Sequence, residues 1–297
     1  MNERHGVAIA ILSSCLGGTA AAVTRYLVDD GDPVLLALLR WGIGILVVLP
    51  VALLTRARWP ARRDWPGVMA LGFAFFGLFF IFYNISLGYT TAARASLALS
   101  TLPLQTMLVG AVLRLERLTV RKTAGVLIAM LGVFGALATD LPAAPQGAWI
   151  GELIMAGAVG CMAIYNVLSR PFIARSSALG FLTVGMATGA LALLPVAAAT
   201  GSFAALSGFG RDEWLAGLYL GIGGGALAFI FWVMALQWAT PTQVANTMTV
   251  NPIAAAALAA VLVGEPITPS LVAGLVAVFA GIWIATMPER SEGTGTE

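Results

Sequence analysis

A few charged side chains fall inside the long apolar stretches of this chain, and they are the first candidates for chemistry. Glu152 lies just within one such stretch, and Arg40 lies about six residues within another. A charge in an apolar environment is costly and marks a functional candidate. Both residues are therefore candidates for coupling, Glu152 as a proton carrier. The alternatives are helix-dipole stabilisation for Glu152, and extension of the long Arg40 side chain towards water.

Glu116 and Glu265 are two further acidic candidates. Each ends an apolar stretch and sits at a tight turn into the next one, and Thr268-Pro269 has the form of a helix N-cap followed by proline. A carboxylate at such a turn can accept hydrogen bonds from helix amides, so a structural or gating role is expected. The two glutamates lie near opposite surfaces and cannot form one site.

Residue types that enzymes need are scarce. The chain has one histidine, His5, and two cysteines, Cys15 and Cys161, both within apolar stretches. It shows no nucleophile with a base, no metal cluster and no aspartate pair, so we expect no enzymatic activity, cofactor or metal. The glycine run 221–225 lacks the Lys-Ser/Thr ending of a phosphate loop, which argues against direct use of ATP.

Aromatic and uncharged polar residues form the candidate binding set. Phe76, Phe79, Phe80, Tyr83 and Leu87 share one face of a helix by their spacing. Core packing or contact with lipid is the alternative for these rings. Buried amides and hydroxyls are costly against lipid and should face protein or a wet cavity. The predicted substrate-binding residues are Thr19, Phe79, Tyr83, Leu87, Ser100, Tyr165, Trp232 and Asn246.

The elements that must position these residues are apolar helices. The chain is 59% hydrophobic and 10% charged, whereas soluble domains carry about 25% charged residues. Its apolar stretches reach the length of about 20 residues that crosses a bilayer, and they are too long for barrel strands. We predict an all-α integral membrane protein with ten transmembrane helices. Their ranges are 6–26, 34–54, 66–88, 94–113, 120–139, 149–168, 178–199, 214–236, 242–263 and 270–287.

Basic residues are unequally distributed between the two sides of this predicted bundle. With a cytoplasmic N-terminus, twelve of the 16 lysines and arginines fall in inside segments. Three fall outside, namely Arg25, Arg94 and Arg211, and Arg40 lies within the second stretch. Cytoplasmic loops carry the excess of basic residues. The sequence therefore predicts a multi-pass protein of the bacterial inner (plasma) membrane with both termini cytoplasmic.

The two halves of the chain repeat each other. At an offset of 149 residues Pro103 aligns with Pro252 and Glu116 with Glu265, while earlier in each half the offset is 145. Each proline removes a helix hydrogen bond and is expected to kink its helix, a structural role with consequences for gating. Each half has five predicted helices, so the second half, 142–297, must enter the membrane inverted relative to the first, 1–141. Inverted repeats with a substrate between them are common in secondary transporters.

The repeated segments resemble a known transporter domain. Leu102-Pro103 with Leu115-Glu116-Arg117-Leu118, and Asn251-Pro252 with Val263-Gly264-Glu265-Pro266-Ile267, are similar to the EamA-type domain of the drug/metabolite transporter superfamily. Within that superfamily the chain is similar to the bacterial YddG-type exporters of aromatic amino acids. The resemblance implies ten helices around a central cavity that is lined mainly by the first, third, fourth, sixth, eighth and ninth spans.

The combined prediction is a secondary transporter that exports small amphipathic metabolites, above all aromatic and other apolar amino acids. Amides, hydroxyls and helix ends can bind both charges of a zwitterion without a fixed counter-charge, and aromatic rings can contact its ammonium group. Uniport down the substrate gradient is expected. The alternatives are a broad-specificity drug/metabolite exporter with proton antiport through Glu152, and a non-transporting structural or assembly protein. The expected partners are the small-molecule substrate and the lipid bilayer, with no nucleic acid and no obligate protein partner.

Overall fold

A computed structural model describes residues 3–28, 32–115, 145–239, 244–245 and 247–286, and the positions 120, 123–124, 127–128, 131–132 and 135. These residues are mostly helical and include no β-strand. The helices of the first half are α1 (Glu3–Val28), α2 (Pro33–Leu54), α3 (Trp65–Gly72), α4 (Phe80–Tyr89), α5 (Ala92–Leu99) and α6 (Leu102–Val112). Those of the second half are α7 (Ala148–Arg175), α8 (Ala178–Thr200), α9 (Arg211–Tyr219), α10 (Ala228–Trp238), α11 (Asn251–Leu262) and α12 (Pro269–Thr286).

Seven helical segments of the described residues are long and apolar enough to cross a membrane. They are Arg4–Val28, Pro33–Leu54, Arg62–Tyr89, Ala92–Val112, Ala148–Arg175, Ala178–Thr200 and Arg211–Trp238. These segments coincide with the first four and the sixth to eighth predicted stretches. The shorter apolar helix α11 and the helix α12 lie within the ninth and tenth stretches. Most of the fifth stretch lies outside the described residues.

The sixth span runs to Arg175, beyond its predicted end near residue 168. Its last turn is held by an ion pair, because Arg175 Nη2 and Nε lie 2.9 and 3.0 Å from the carboxylate oxygens of Asp64. Asp64 ends the short 3₁₀ turn Arg62–Asp64 that leads into α3. A bidentate arginine–carboxylate pair is geometrically specific, so it fixes the end of α7 against the start of the third span.

Polar side chains begin the second helix of each half. Asp32 Oδ1 accepts hydrogen bonds from the amides of Val34 at 2.8 Å and Leu35 at 3.1 Å. In the second half, Ser177 Oγ accepts one from the amide of Gly180 at 3.1 Å. Such caps satisfy amides that have no partner within the helix. Asp32 and Ser177 are 145 residues apart, which is the offset found between the early parts of the two halves.

A π-helical segment interrupts the third span of each half. Phe73–Phe79 lies between α3 and α4, and Leu220–Leu227 lies between α9 and α10. A π-helix bonds residues five apart instead of four, and such segments are frequent at functional sites. The change of spacing alters which side chains share a helical face, and the backbone carbonyls near the change can bond to groups outside the helix.

Pro103 and Pro252 each restart a broken span. The fourth span is interrupted at Ser100 and Thr101, and Pro103 lies in the first turn of α6. A 3₁₀ turn over Thr247–Val250 precedes α11, which has Pro252 in its first turn. A proline in the first turn removes no helical hydrogen bond, because that amide has no partner within the helix. The spans are therefore broken just before each proline, and the prolines do not kink continuous helices as the sequence suggested.

The packing of the two halves against each other is reciprocal. The first span of the first half, α1, packs against α10 and α11, which belong to the third and fourth spans of the second half. In the same way α7 packs against α4 and α6. The second helices of the two halves, α2 and α8, pack directly against each other. The resulting core is continuous across the halves and is rich in aromatic residues.

Glu265 connects the turn before α12 to the start of α5. Its carboxylate oxygens accept hydrogen bonds from the amide of Ala92 at 3.1 and 3.3 Å, and one of them lies 3.6 Å from Nε of Arg25. The carboxylate of Glu265 therefore accepts hydrogen bonds from a helix amide, as expected. The helix is α5 of the first half, and not the helix that follows Glu265. Thr268 caps α12 as expected, since its Oγ1 accepts from the amide of Leu271 at 3.3 Å. Glu116, the predicted counterpart of Glu265, lies outside the described residues.

Glycines allow α3 and α8 to approach each other closely. A Cβ built on Gly72 would lie 2.5 Å from both the Cα and the carbonyl oxygen of Gly185. Small residues at such crossings let helix backbones pack in direct contact within a membrane. Gly42 in α2 differs, because the position of its Cβ has no neighbouring atom within 4 Å.

We expect Gly72→Ala to destabilise the protein by about 1–3 kcal/mol, because the added methyl group overpacks the contact with Gly185. Gly42→Ala is the matched control, and it should be neutral or slightly stabilising because alanine favours helix. Thermal unfolding of the purified variants in detergent measures the difference. Equal melting temperatures for the two variants would contradict the close approach at Gly185.

Glu265 should make stability depend on pH in a defined direction. Burial raises the pKa of this carboxyl, and the amide of Ala92 and the charge of Arg25 offset only part of that rise. A group with a raised folded-state pKa contributes stability at low pH that is lost as pH rises through that pKa. Glu265→Gln keeps an oxygen for the Ala92 amide and cannot ionise. Its melting temperature relative to wild type should therefore increase between about pH 4 and about pH 8.

The control for this measurement is Asp212→Asn, which neutralises an exposed acid at the start of α9. Its melting temperature relative to wild type should change little over the same pH range. A melting temperature of Glu265→Gln that stays constant or falls relative to wild type as pH rises would contradict the proposed cost of ionising Glu265.

Candidate functional site

A cavity lies between helices of both halves. Its walls come from α1, α2, the third span, α5, α7, α10, α11 and the 3₁₀ turn before α11. The lining residues are Ser13, Gly17, Arg40, Phe75, Phe79, Phe80, Tyr83, Leu99, Met162, Ala228, Phe229, Trp232, Met248 and Asn251.

Aromatic rings form most of the wall contributed by the third span. The ring centroids of Phe75 and Phe79 are 5.0 Å apart, and Tyr83 follows at 5.7 Å from Phe79. These residues recur every four positions, so they continue one face from the π segment into α4. Phe229 of α10 completes the group, with its ring centroid 5.4 Å from that of Phe75. The wall can therefore pack against an aromatic or branched apolar solute.

Trp232 of α10 is fixed in the wall by a hydrogen bond. Its Nε1 donates to Oδ1 of Asn166 on α7 at 3.2 Å, and both side chains are buried. This bond uses the single polar group of the indole. The remaining ring surface is apolar and is available to a solute. The adjacent Tyr165 stacks on Phe75 with centroids 4.5 Å apart, so it supports the wall from outside the lining.

Arg40 supplies a cation to the cavity. Its side chain is buried, with 3% exposed, so it does not extend to water. Nη2 donates a hydrogen bond of 2.8 Å to the carbonyl oxygen of Gly224, in the second π segment. The guanidinium carbon lies 4.7 Å from the ring centroid of Phe80 and 5.4 Å from that of Trp41. Nε and Nη1 have no hydrogen-bond partner among the described residues.

Asn251 supplies a polar acceptor to the same cavity. The residue is buried, and its Oδ1 has no hydrogen-bond partner in the described part of the chain. Ser13 also lines the cavity, but its hydroxyl donates to the carbonyl oxygen of Ala228 at 2.7 Å. Buried polar groups normally have a partner. The donors of Arg40 and the acceptor of Asn251 are therefore the groups best placed to bind a polar ligand.

The structure brings part of the predicted set together. Phe79, Tyr83 and Trp232 line the cavity, and Arg40, which was predicted as a coupling residue, lines it with them. Their roles in binding stay predictions. The alternative that Arg40 reaches out to water is wrong, because its side chain is enclosed by α2, the third span and the second π segment.

The other predicted binding residues that the structure describes lie outside the cavity lining. Leu87 is buried in the core, and Ser100 Oγ donates back to the carbonyl oxygen of Ser96 at 3.0 Å. Thr19 Oγ1 lies 2.6 Å from the hydroxyl of Tyr219. Asn246 falls outside the described residues. The broken spans before Pro103 and Pro252 lie beside the lining residues Leu99, Met248 and Asn251.

Glu152 also lies away from the cavity lining. Its carboxylate forms an ion pair with Nε of Arg94 at 2.7 Å and accepts a hydrogen bond of 3.5 Å from Thr90. This pair connects α7 to α5. Among the described residues, no three histidine, cysteine, aspartate or glutamate side chains are grouped as a metal site would require.

Sequence reasoning missed several lining residues for identifiable reasons. The predicted face of the third span included Phe76 and omitted Phe75, although Phe75 lies four residues before Phe79. Phe75 lines the cavity and Phe76 does not. Asn251 was recognised as a buried amide, but Asn246 was preferred as the binding residue. Met162 carries no local signal, since only the packing of α7 places it at the cavity.

Comparisons with known proteins place this architecture in a family. The model of the EamA-like transporter family matches residues 4–138 and again residues 149–287. An "Uncharacterized transporter" of Archaeoglobus fulgidus is 25% identical over 93% of this chain and 96% of its own. A "Probable amino-acid metabolite efflux pump" of Salmonella typhimurium is 27% identical, covering 96% of this chain and 95% of its own. An uncharacterized protein of Pseudomonas aeruginosa is 31% identical, covering 97% and 96%.

A solved crystal structure has the same fold. It aligns with a TM-score of 0.70 at 24% sequence identity, covering 95% of this chain and 96% of that chain. This likeness concerns the fold alone. The assignment rests on the family model, which matches almost the whole chain in two consecutive copies. The chain, an all-helical protein with several spans that can cross a membrane, therefore belongs to the EamA-like transporter family of the drug/metabolite transporter superfamily.

Proposed function

We propose that this protein exports small amphipathic metabolites, above all amino acids with aromatic or other apolar side chains, across the bacterial inner membrane. The observation that carries the proposal is the aromatic cavity between the two halves, with Arg40 and Asn251 at its wall. The side chain of an aromatic amino acid can pack against Phe75, Phe79 and Phe229, at about 0.5–1.5 kcal/mol per aromatic pair beyond the burial of apolar area. The amide oxygen of Asn251 can accept a hydrogen bond from its ammonium group.

The name of one relative supports this substrate class. The protein of Salmonella typhimurium that matches 96% of this chain is named a probable amino-acid metabolite efflux pump. The resemblance of the chain to YddG-type exporters, which stays a prediction, points in the same direction. Both arguments concern the class of substrate, and the cavity supplies the chemical reason for it.

Alternating access between two inverted five-helix repeats, 1–141 and 142–297, is the proposed mechanism. The reciprocal packing supports it, because the first span of each half contacts the third and fourth spans of the other. The π segments and the broken spans recur in both halves at matching places. Two similar halves in opposite orientations can provide two similar states, each open to one side of the membrane.

Uniport down the substrate gradient is the proposed energetics. Among the described residues that line the cavity, none is a carboxylate that could exchange a proton for the solute. Glu152, the candidate proton carrier, is paired with Arg94 away from the lining. An intracellular excess of the solute would therefore drive its export.

Purified protein in liposomes should take up radiolabelled phenylalanine, tryptophan and methionine saturably and faster than threonine, without a pH gradient. Tyr83→Ala and Trp232→Ala should each lower the initial rate about tenfold or more, because each removes a buried aromatic contact. Phe82→Ala and Trp214→Ala are matched controls, since these rings are 40% and 42% exposed. They should transport as wild type does.

Uptake that requires a pH gradient would contradict uniport and direct attention to Glu152. No uptake of any amino acid by folded protein would contradict the proposed substrate class. Equal losses in the cavity variants and the exposed controls would contradict the cavity as the transport site.

Reporter fusions test the proposed orientation in the inner membrane. A fluorescent protein fused after Glu297 should fluoresce, and alkaline phosphatase at the same place should be inactive, since the C-terminus is proposed to be cytoplasmic. Alkaline phosphatase fused after Gly208, between the seventh and eighth spans, should be active. Phosphatase activity at both positions would contradict the alternation of spans.

A further inference from the structure

Arg40 is a buried cation with no acidic partner in the described part of the chain. The described ion pairs join Arg25 to Glu265, Arg94 to Glu152 and Arg175 to Asp64. None of them involves Arg40, although its side chain is 3% exposed. A buried charge is stable only when it is paired and hydrogen-bonded. The described residues therefore supply no counter-charge for Arg40.

The second π segment supplies one hydrogen-bond acceptor for Arg40. Nη2 of Arg40 donates to the carbonyl oxygen of Gly224 at 2.8 Å. A Cβ on Gly224 would lie 2.5 Å from Cβ of Ala20 and 3.2 Å from Nη2 of Arg40, so glycine is needed for this approach. The contact fixes one nitrogen of the guanidinium and leaves Nε and Nη1 as donors without a described partner.

Aromatic rings around the guanidinium also stabilise the charge of Arg40. The guanidinium carbon lies 4.7 Å from the ring centroid of Phe80, 5.4 Å from that of Trp41 and 6.0 Å from that of Tyr83. Cation–π contacts stabilise a charge in this range of distances. The rings are neutral and supply no counter-charge, although the hydroxyl of Tyr83 lies close enough to the guanidinium to act as a polar neighbour. An anionic group of a ligand in the cavity would supply the missing counter-charge, and Arg40 lines that cavity.

We propose that Arg40 is the carboxylate-binding residue of the cavity, and that the transported solute must carry a carboxylate beside its apolar body. The inference rests on the proposed function only in taking this cavity as the transport site. It assigns the ends of the solute, with the carboxylate at Arg40 and the apolar body among Phe75, Phe79 and Phe229. The carboxylate of an amino acid should also contribute more to binding than its ammonium group, because the carboxylate meets a fixed cation and the ammonium meets only neutral groups.

The ranking is tested by ligand-induced thermal stabilisation of the full-length purified protein, which avoids the different membrane permeabilities of the probes. The probes are phenylalanine, 3-phenylpropionate without the ammonium, and phenylalaninamide and 2-phenylethylamine without the carboxylate. Phenylalanine and 3-phenylpropionate should raise the melting temperature. The two carboxylate-free compounds should need about 30-fold higher concentrations or more, as expected when a buried charge loses its partner.

Variants of Arg40 test the same assignment from the protein side. Arg40→Gln should bind phenylalanine about 30-fold more weakly or worse and should no longer distinguish it from phenylalaninamide. Arg40→Lys should recover part of the preference, because it restores the charge without the planar guanidinium. Arg211→Gln removes an exposed arginine at the start of α9 and serves as the control. If Arg40→Gln does not fold, the comparison of probes on wild-type protein still decides the question.

The possible outcomes separate this inference from the proposed function. Stabilisation by phenylalaninamide at the concentrations that suffice for phenylalanine overturns the role of Arg40 and leaves amino-acid export standing. Stabilisation by 3-phenylpropionate without any effect of amino acids overturns amino-acid export and supports the carboxylate site. Folded protein that responds to no carboxylate overturns the inference.

Discussion

The guanidinium of Arg40 must be stabilised inside a helical bundle that lipid surrounds, and this requirement shapes the centre of the molecule. Water would solvate the charge at little cost, whereas an apolar interior makes each missing partner expensive. The glycines of the second π segment allow one carbonyl to approach, and three rings surround the cation. The described residues do not supply a counter-charge, and the proposed carboxylate of the solute takes that place.

The cost of leaving polar groups without partners in an apolar environment also explains where the helices are irregular. Irregular backbone in a membrane protein is tolerated where protein or a cavity covers it. The π segments Phe73–Phe79 and Leu220–Leu227 and the breaks before Pro103 and Pro252 all adjoin the cavity. The ion pairs of Glu152 and Glu265 instead connect helix ends of different elements away from the cavity lining. The polar groups that line the cavity are therefore different residues from the charged groups that form ion pairs between helices.

Much of the fold could be predicted from the sequence because its physical signals are strong and local. Seven predicted spans coincide with helices, since each is a long apolar run bounded by charges or turns, and the double match to the family agrees with the internal repeat. The site was harder to predict. Phe79, Tyr83 and Trp232 were named from helical spacing, but that spacing is compatible with both Phe75 and Phe76, and only the packing shows that Phe75 lines the cavity. The direction of the Arg40 side chain depends on a carbonyl 184 residues away in the sequence, which no local pattern encodes.

The most direct measurement is a crystal structure of the protein with 4-bromophenylalanine, in which anomalous diffraction locates the bromine. The account predicts bromine among the rings of Phe75, Phe79 and Phe229, and a carboxylate within hydrogen-bonding distance of Arg40. Bromine beside Arg40 with the carboxylate directed elsewhere, or a ligand bound outside the cavity, would contradict it.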